Sequence, residues 1–342
     1  MTDEIPEVRN KHPYLMYEML METPKALNTT LSTVSKEDLV FNRGGVTITG
    51  NGTSYHAGIL GFQVLSDETK VWNAIQSYEL ENYKKPLGNI LALSHTGKTG
   101  STVRSVLKHP ETNSIGVTHD GNSPLARSVR KSINIGEKDL SLCNTKAFFD
   151  NVLASAIVAK KYEKSEYDFK GFIEVISRNI KKADSRMKSI VSELPEIHNI
   201  FVLGSGNNFF AARETAQKIK EATHIFAEGI ELEEYNHGCT SLTGKGTLLI
   251  NICNREDLKR VREINSGIRL VGAKSIGIGG EGDYEVDLDV RNSFELPVES
   301  VIYTYFLAYH LALKLGINPD LLRFDEKEYY DFDMVIFPPG QH

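Results

Sequence analysis

Two stretches of this 342-residue chain carry side chains whose types and spacing can do chemistry. The first is Ser94-His95-Thr96-Gly97-Lys98-Thr99-Gly100-Ser101-Thr102, which follows the apolar run Ile90 to Leu93. Hydroxyls and backbone N–H groups at a helix start, with a lysine beside them, suit a phosphate monoester, because the helix dipole and its unpaired N–H groups favour an anion. The same residues also read as a serine-rich helix cap with no ligand. Thr53 and Ser54, just after Gly50-Asn51-Gly52, offer a second hydroxyl wall. The second stretch holds Glu214, Lys218 and Glu221, at i, i+4 and i+7 on one stripe of a helical segment from Phe209 to Thr223. Taken alone, that spacing describes a solvated face with ordinary ion pairs. Downstream, Glu228, Glu231, Glu233 and Glu234 crowd into a stretch that reads as a loop and ends in Asn236-His237-Gly238, where a histidine can titrate near neutral pH.

Strands and glycine turns must position these groups. Val46 to Thr49 runs into Gly50-Asn51-Gly52 and a helix expected over about 55–69; Phe201 to Leu203 runs into Gly204-Ser205-Gly206 and the helix from Phe209. Further strands are expected at Ile90 to Leu93, Ser114 to Thr118 and Ser132 to Ile135, the last followed by a loop and a long amphipathic helix. The second half repeats the plan. VLGSGNN at 202 matches ITGNGTS at 48, an offset of 154, and SIGIGG at 275 matches SIGVTH at 114, an offset of 161. Strands alternating with helices predict an α/β fold in which each half is a parallel sheet covered by helices on both faces. The expected division is an N-terminal helical arm over 1–40 (helices near His12 to Met21 and Pro24 to Thr33), a first domain over 41–161, a linker over 162–195, a second domain over 196–320 and a tail over 321–342.

The halves differ where chemistry would occur. The counterpart of SHTGKTGST is NICNREDLK, whose two carboxylates and single neighbouring arginine do not suit phosphate, so the first half is the expected anchor. TGKT resembles the end of a nucleotide-binding P-loop, but Ala92 stands where the first glycine belongs. Neither glycine turn completes G-x-G-x-x-G, since Tyr55 and Phe209 hold the last position, which removes support for a dinucleotide site.

Composition sets the outer bounds. A net charge of −6, with 40% hydrophobic and 25% charged residues, fits a globular protein and speaks against a nucleic-acid surface. Cys143, Cys239 and Cys253 have no metal-ligand spacing and are odd in number, so a reducing cytoplasm is expected and a disulfide framework is not. No apolar run reaches membrane-spanning length, and the N-terminal residues lack a signal-peptide core, so no membrane partner is expected.

Several motifs together carry a family resemblance: GNGTSYHAG, LSHTGKT, SPLARS, NTKAF, ARETAQKIKEATHIFAE with EYNHG, and LAYHLALKLGINPD. Over roughly residues 12–328 the chain resembles the isomerase portion of glucosamine-6-phosphate synthase and its relatives, built from two tandem sugar-isomerase (SIS) domains of flavodoxin-like, three-layer α/β/α form. The resemblance implies that the phosphate of a sugar is held by Ser54, Ser94, Thr96 and Thr99, with His95 at a backbone-contact position. It implies Glu221 as the proton-shuttling base, His237 as the ring-opening group and Lys327 as an additional catalytic lysine. Thr53, Asn144 and Lys218 become further substrate contacts. It also implies a homodimer in which neighbouring subunits complete each other's sites, a small-molecule sugar phosphate as partner, and no metal or organic cofactor. The chain departs from the pattern in four places, one of them the change of HGP to His237-Gly238-Cys239. It starts without a glutaminase domain, so no ammonia release from glutamine is expected of it. Its tail LLRFDEKEYYDFDMVIFPPGQH keeps only Arg323 and Lys327 of the family's ending. The loop DLSLC, with Asp139 at the acidic position, carries bulkier residues at Leu142 and Cys143. The expected activity is isomerase or deaminase chemistry on glucosamine 6-phosphate and fructose 6-phosphate, with a fructosamine-6-phosphate deglycase and a non-catalytic sugar-phosphate sensor as alternatives.

Overall fold

The computed structural model describes residues 9–39, 41, 44–290 and 292–337. They form two compact units, one made of Met19–Ile173 with the residues from Arg323 onward, the other of Arg9–Glu18 with Glu174–Leu322.

The first unit is a five-stranded parallel sheet. Its strands are β1 (Gly45–Thr49), β2 (Trp72–Ala74), β3 (Gly88–Leu93), β4 (Ser114–Thr118) and β5 (Lys131–Asn134), in the order β2-β1-β3-β4-β5. Helices α1 (Leu15–Val34), α2 (Gly52–Phe62), α3 (Ser77–Asn82), α4 (Gly100–Leu107), α5 (Pro124–Ser128) and α6 (Thr145–Glu163) precede or connect the strands, the first turn of α1 being counted with the other unit. Ile90, Leu91, Ala92 and Leu93 are fully buried, as a central strand covered on both faces requires. Ile90 and Ala92 pack with Ile75, Leu80, Val106 and Leu125 on one side.

The second unit repeats this order. Strands β6 (Asn199–Gly204), β7 (Phe226–Glu231), β8 (Thr247–Ile252), β9 (Lys274–Ile278) and β10 (Tyr284–Val286) lie as β10-β9-β8-β6-β7, the same sequence of strands once β6 is matched to β1. Its helices are α7 (Phe169–Glu193), which begins in the first unit's stretch, α8 (Asn208–Thr223), α9 (Leu258–Leu270) and α10 (Glu295–Leu315). Phe201, Leu203 and Leu249 form the core beneath α9 with Val261, Ile264 and Ile268. A last helix, α11 (Lys327–Ile336), belongs to the first unit. The α/β class and the tandem repeat read from the sequence are those of the folded chain.

Several local expectations need correction. The N-terminal pair of helices is one helix, α1, with Pro24 inside it. Its buried positions Leu20, Thr23, Leu27 and Thr30 continue one face across the proline, and that packing outweighs the break. Helix α2 stops at Phe62 rather than near residue 69, because the backbone N–H groups of Ser66 and Asp67 donate instead to the Glu163 carboxylate at 2.8 and 2.6 Å. The acidic stretch after α8 is no loop: Phe226–Glu231 pairs along β6 as the edge strand β7. The short edge strands β2 and β10 were not anticipated.

Candidate active site

In the first unit, β1 and β3 are neighbours from which the strand order runs outward in both directions, so the ends of these strands form a topological switch point, where open parallel sheets bind ligands. The two turns leaving them are tied together, Asn51 Nδ2 donating to Ser101 Oγ at 2.7 Å. Ser94, at the end of β3, is buried, and its hydroxyl lies 2.9 Å from that of Thr99. Thr96 is half-buried and accepts the N–H of Lys98 at 3.3 Å. Gly97 has φ +66°, and a Cβ there would lie 2.1 Å from Ser123 Oγ, so only glycine allows the turn to fold against that serine. Thr53 is buried and Ser54 half-buried in the first turn of α2.

His95 is buried beside His119, with ring centroids 4.8 Å apart. Its Nε2 accepts the N–H of Asp139 at 2.9 Å, which leaves the proton of the neutral ring on Nδ1. Burial, then His119, Lys146 and Lys138 push its pKa down to about 3. Burial also lowers that of His119, and Lys138 and Lys98 push the same way. Burial is the leading cause for both rings, and at His119 the Asp120 carboxylate opposes it. The Asp139 carboxylate accepts the N–H groups of Ser141 and Ala147, each at 2.9 Å, fixing the start of α6. Asn144 caps that helix with φ +50° and donates through Nδ2 to Leu142 O at 3.1 Å.

The corresponding turns of the second unit are closed on themselves. Ser205 Oγ donates to Asp257 Oδ1 at 2.6 Å, and the other oxygen of Asp257 accepts the Asn254 N–H at 2.9 Å. A carboxylate thus takes up a hydroxyl and an N–H donor of this turn.

What the second unit offers instead lies on α8. Lys218 and Glu214 are buried, with side chains 1% and 0% exposed, so the reading of their stripe as a solvated face fails. The Lys218 ammonium is 2.7 Å from Glu221 Oε2 and 3.9 Å from Glu214 Oε1. Gln217 Nε2 donates to Glu221 Oε1 at 2.8 Å, so both carboxylate oxygens of Glu221 are engaged from its own helix, while its side chain keeps 25% exposure. Tyr305 on α10 donates to Glu214 Oε1 at 2.6 Å. His237 is exposed, just past a single 3-10 turn over Glu234–Asn236, itself capped by Glu231 Oε2 accepting from the N–H groups of Glu233 and Glu234 at 2.7 and 3.1 Å. Lys327 opens α11 with an exposed side chain paired to Asp331.

Within each unit, then, the structure brings Ser94 to Thr99, and Lys218 to Glu221. Gln217 and Tyr305 escaped the sequence reading. Gln217 carried a signal, its i, i+4 spacing to Glu221; Tyr305 carried none, because its contact depends on how α10 packs on α8. Among the described residues no group of three or more His, Cys, Asp or Glu could hold a metal ion, and no helix is long and apolar enough to cross a membrane.

Comparison with known proteins gives a consistent picture. Residues 193–314 match the SIS domain profile. The glutamine–fructose-6-phosphate aminotransferase (isomerizing) of Sulfolobus acidocaldarius is 28% identical over 328 residues, which is 90% of this chain and 55% of that protein. The chain spans little more than half the length of that curated relative. Among solved structures, the C-terminal domain of glucosamine-fructose-6-phosphate aminotransferase from Francisella tularensis superposes with a TM-score of 0.78 at 22% identity, over 91% of this chain and 98% of that one. Glucosamine-6-phosphate deaminase from Thermotoga maritima superposes with a TM-score of 0.76 at 21% identity, over 90% and 97%. The second unit thus holds a stretch that matches the SIS domain, and the first unit has the same strand order.

Proposed function

We propose that the protein is a phosphosugar isomerase or deaminase acting on an amino-sugar phosphate of the glucosamine 6-phosphate and fructose 6-phosphate type. The observation that carries this reading is the contrast between the turns. The first unit follows β3 with hydroxyls that meet one another, Ser94 and Thr99 at 2.9 Å, whereas the second unit sets the Asp257 carboxylate against Ser205 in the corresponding turn. The names of the similar proteins, an isomerizing aminotransferase and a glucosamine-6-phosphate deaminase, supply the substrate class.

In this reading Ser54, Ser94, Thr96 and Thr99 bind the phosphate, with His95 contributing through its backbone. Binding energy taken far from the reacting carbons serves to orient the sugar. Glu221 moves a proton between C1 and C2, a task for a carboxylate that is fixed in direction yet reachable; its two bonds and partial exposure meet both demands. His237 opens the ring, Lys327 acts on the carbonyl end, and Thr53 and Asn144 line the sugar.

The test is to incubate the protein separately with glucosamine 6-phosphate, with fructose 6-phosphate plus ammonium, and with a fructosamine 6-phosphate, following ammonia and hexose phosphate. Turnover of the first two supports the deaminase; turnover of the third alone transfers the assignment to a deglycase, and binding without turnover to a sensor. Glu221→Gln is expected to lower turnover about a hundredfold or more, the scale of a general base. Ser94→Ala with Thr99→Ala is expected to weaken sugar-phosphate binding by about 2 kcal/mol. Unchanged values in both variants would overturn the reading.

A further inference from the structure

We infer that Tyr305 is a positioning residue for the proton transfer assigned to Glu221, acting through Glu214 and Lys218; the inference rests on that assignment. Lys218 places one buried ammonium between two carboxylates. It lies 2.7 Å from Glu221 and 3.9 Å from Glu214, although Glu214 is the more buried of the two. A buried carboxylate draws a nearby cation strongly when its lone pairs are otherwise unmet. Here the demand of Glu214 is met from another helix: the Tyr305 hydroxyl donates at 2.6 Å to Oε1, the same oxygen that faces Lys218. A hydrogen bond to a charged acceptor is short and strong, so this hydroxyl weakens the pull of Glu214 on the ammonium and leaves it with Glu221.

The aromatic ring assists from the other side. The Lys218 ammonium lies 5.5 Å from the Tyr305 ring centroid, within the range of a cation–π contact, so the residue that satisfies Glu214 also shelters the cation. The helix pair is pinned close by, where the Thr215 and Thr304 hydroxyls meet at 2.8 Å. Tyr305 therefore sits on a frame that holds its hydroxyl in place. Without that hydroxyl, Lys218 moves toward Glu214, and Glu221 keeps only its bond from Gln217, free to rotate about it.

Tyr305→Phe removes the hydroxyl and keeps the ring. A control lies two residues earlier on the same helix, where the buried Tyr303 donates its hydroxyl to Asn179 on α7 at 3.1 Å, away from this network. Tyr303→Phe loses a comparable buried hydrogen bond and leaves Glu214 untouched. The measurements are kcat, KM and the rate at which a C1 proton of fructose 6-phosphate exchanges in deuterated water, with thermal unfolding of both variants alongside. The expected result is a fall of about tenfold in kcat and in C1 exchange for Tyr305→Phe, with KM unchanged, and neither change for Tyr303→Phe at a similar loss of unfolding temperature. Equal behaviour of the two variants reduces Tyr305 to a packing residue and overturns the inference. Exchange in the parent protein that survives undiminished in Tyr305→Phe also overturns it, while leaving the isomerase reading intact. Absence of exchange in the parent overturns the isomerase reading, and the role of Tyr305 with it.

Discussion

Asp150 on α6 is a fully buried carboxyl with one oxygen bonded and one not. Thr30 Oγ1 donates to Oδ1 at 2.7 Å, whereas Oδ2 has no partner among the described residues. Burial pushes its pKa up to about 7, against the weaker pull of Thr30 and Lys146. The folded protein thus holds this proton where the unfolded chain has lost it. The contribution of Asp150 to stability is complete below the ordinary carboxyl value near pH 4 and is lost as the pH rises through 7. Asp150→Asn keeps an acceptor for Thr30 and cannot ionise. It should raise the unfolding temperature at pH 8 relative to the parent and do so less, or not at all, at pH 5; the gain between the two pH values should be about 2 kcal/mol, a discounted share of the shift. An identical difference at both pH values would show that Asp150 does not titrate in this range. His95 has the opposite sign: its neutral ring favours folding fully above its ordinary value and progressively less as acid protonates the unfolded chain.

At the scale of elements, two lysines do the same work in the two units. The α1 C-terminus ends in carbonyls without helical partners, and Lys161, in the last turn of α6, donates to Val34, Ser35 and Glu37 O at 3.1, 2.8 and 2.6 Å. In the second unit Lys314, in the last turn of α10, donates to Val191 and Leu194 O at 2.9 and 2.5 Å, closing α7. Each cap meets the chemical need left where a helix stops. Lys161→Met keeps the aliphatic stem and removes the donors; it should cost about 1–3 kcal/mol in chemical denaturation, at the lower end because the site is partly wet. No measurable loss would mean that water replaces the ammonium freely. These caps were not legible in the sequence, where Lys160-Lys161 is one charged pair among several. The central strands were legible, because Ile90 to Leu93 and Phe201 to Leu203 are apolar runs ending in glycine or hydroxyl turns. Strand β7 was not, since its Glu228, Gly229 and Glu231 lack strand character and its extended form comes from six residue pairings with β6. The hydroxyl turn was legible by composition alone. The burial of Glu214 and Lys218 was hidden, because helical spacing says which residues share a face and not which face is covered.

For the molecule as a whole, the duplication runs deeper than the glycine turns that exposed it. The helix before the first strand, five parallel strands, their order and the capping lysine all recur. In the proposed function the copies divide the chemistry, with the hydroxyl turn in one and Glu221 and His237 in the other. The proposed assembly is a homodimer in which His237 of one subunit serves the sugar bound by the other. Mixing inactive Glu221→Gln and His237→Ala proteins under conditions of subunit exchange should then restore part of the activity through hybrid dimers. No recovery, once exchange has been demonstrated, would confine each site to one chain.

The bond from Ser205 to Asp257 has a consequence of its own. The second copy carries an internal counter-anion, so its turn is complete whatever salts surround it. In the proposed function, the hydroxyl turn of the first copy, where Ser94 and Thr99 meet each other, fills according to the phosphate dissolved around the protein. Of two turns built on one plan, the proposed function makes the first the one that answers to the chemical composition of the solvent.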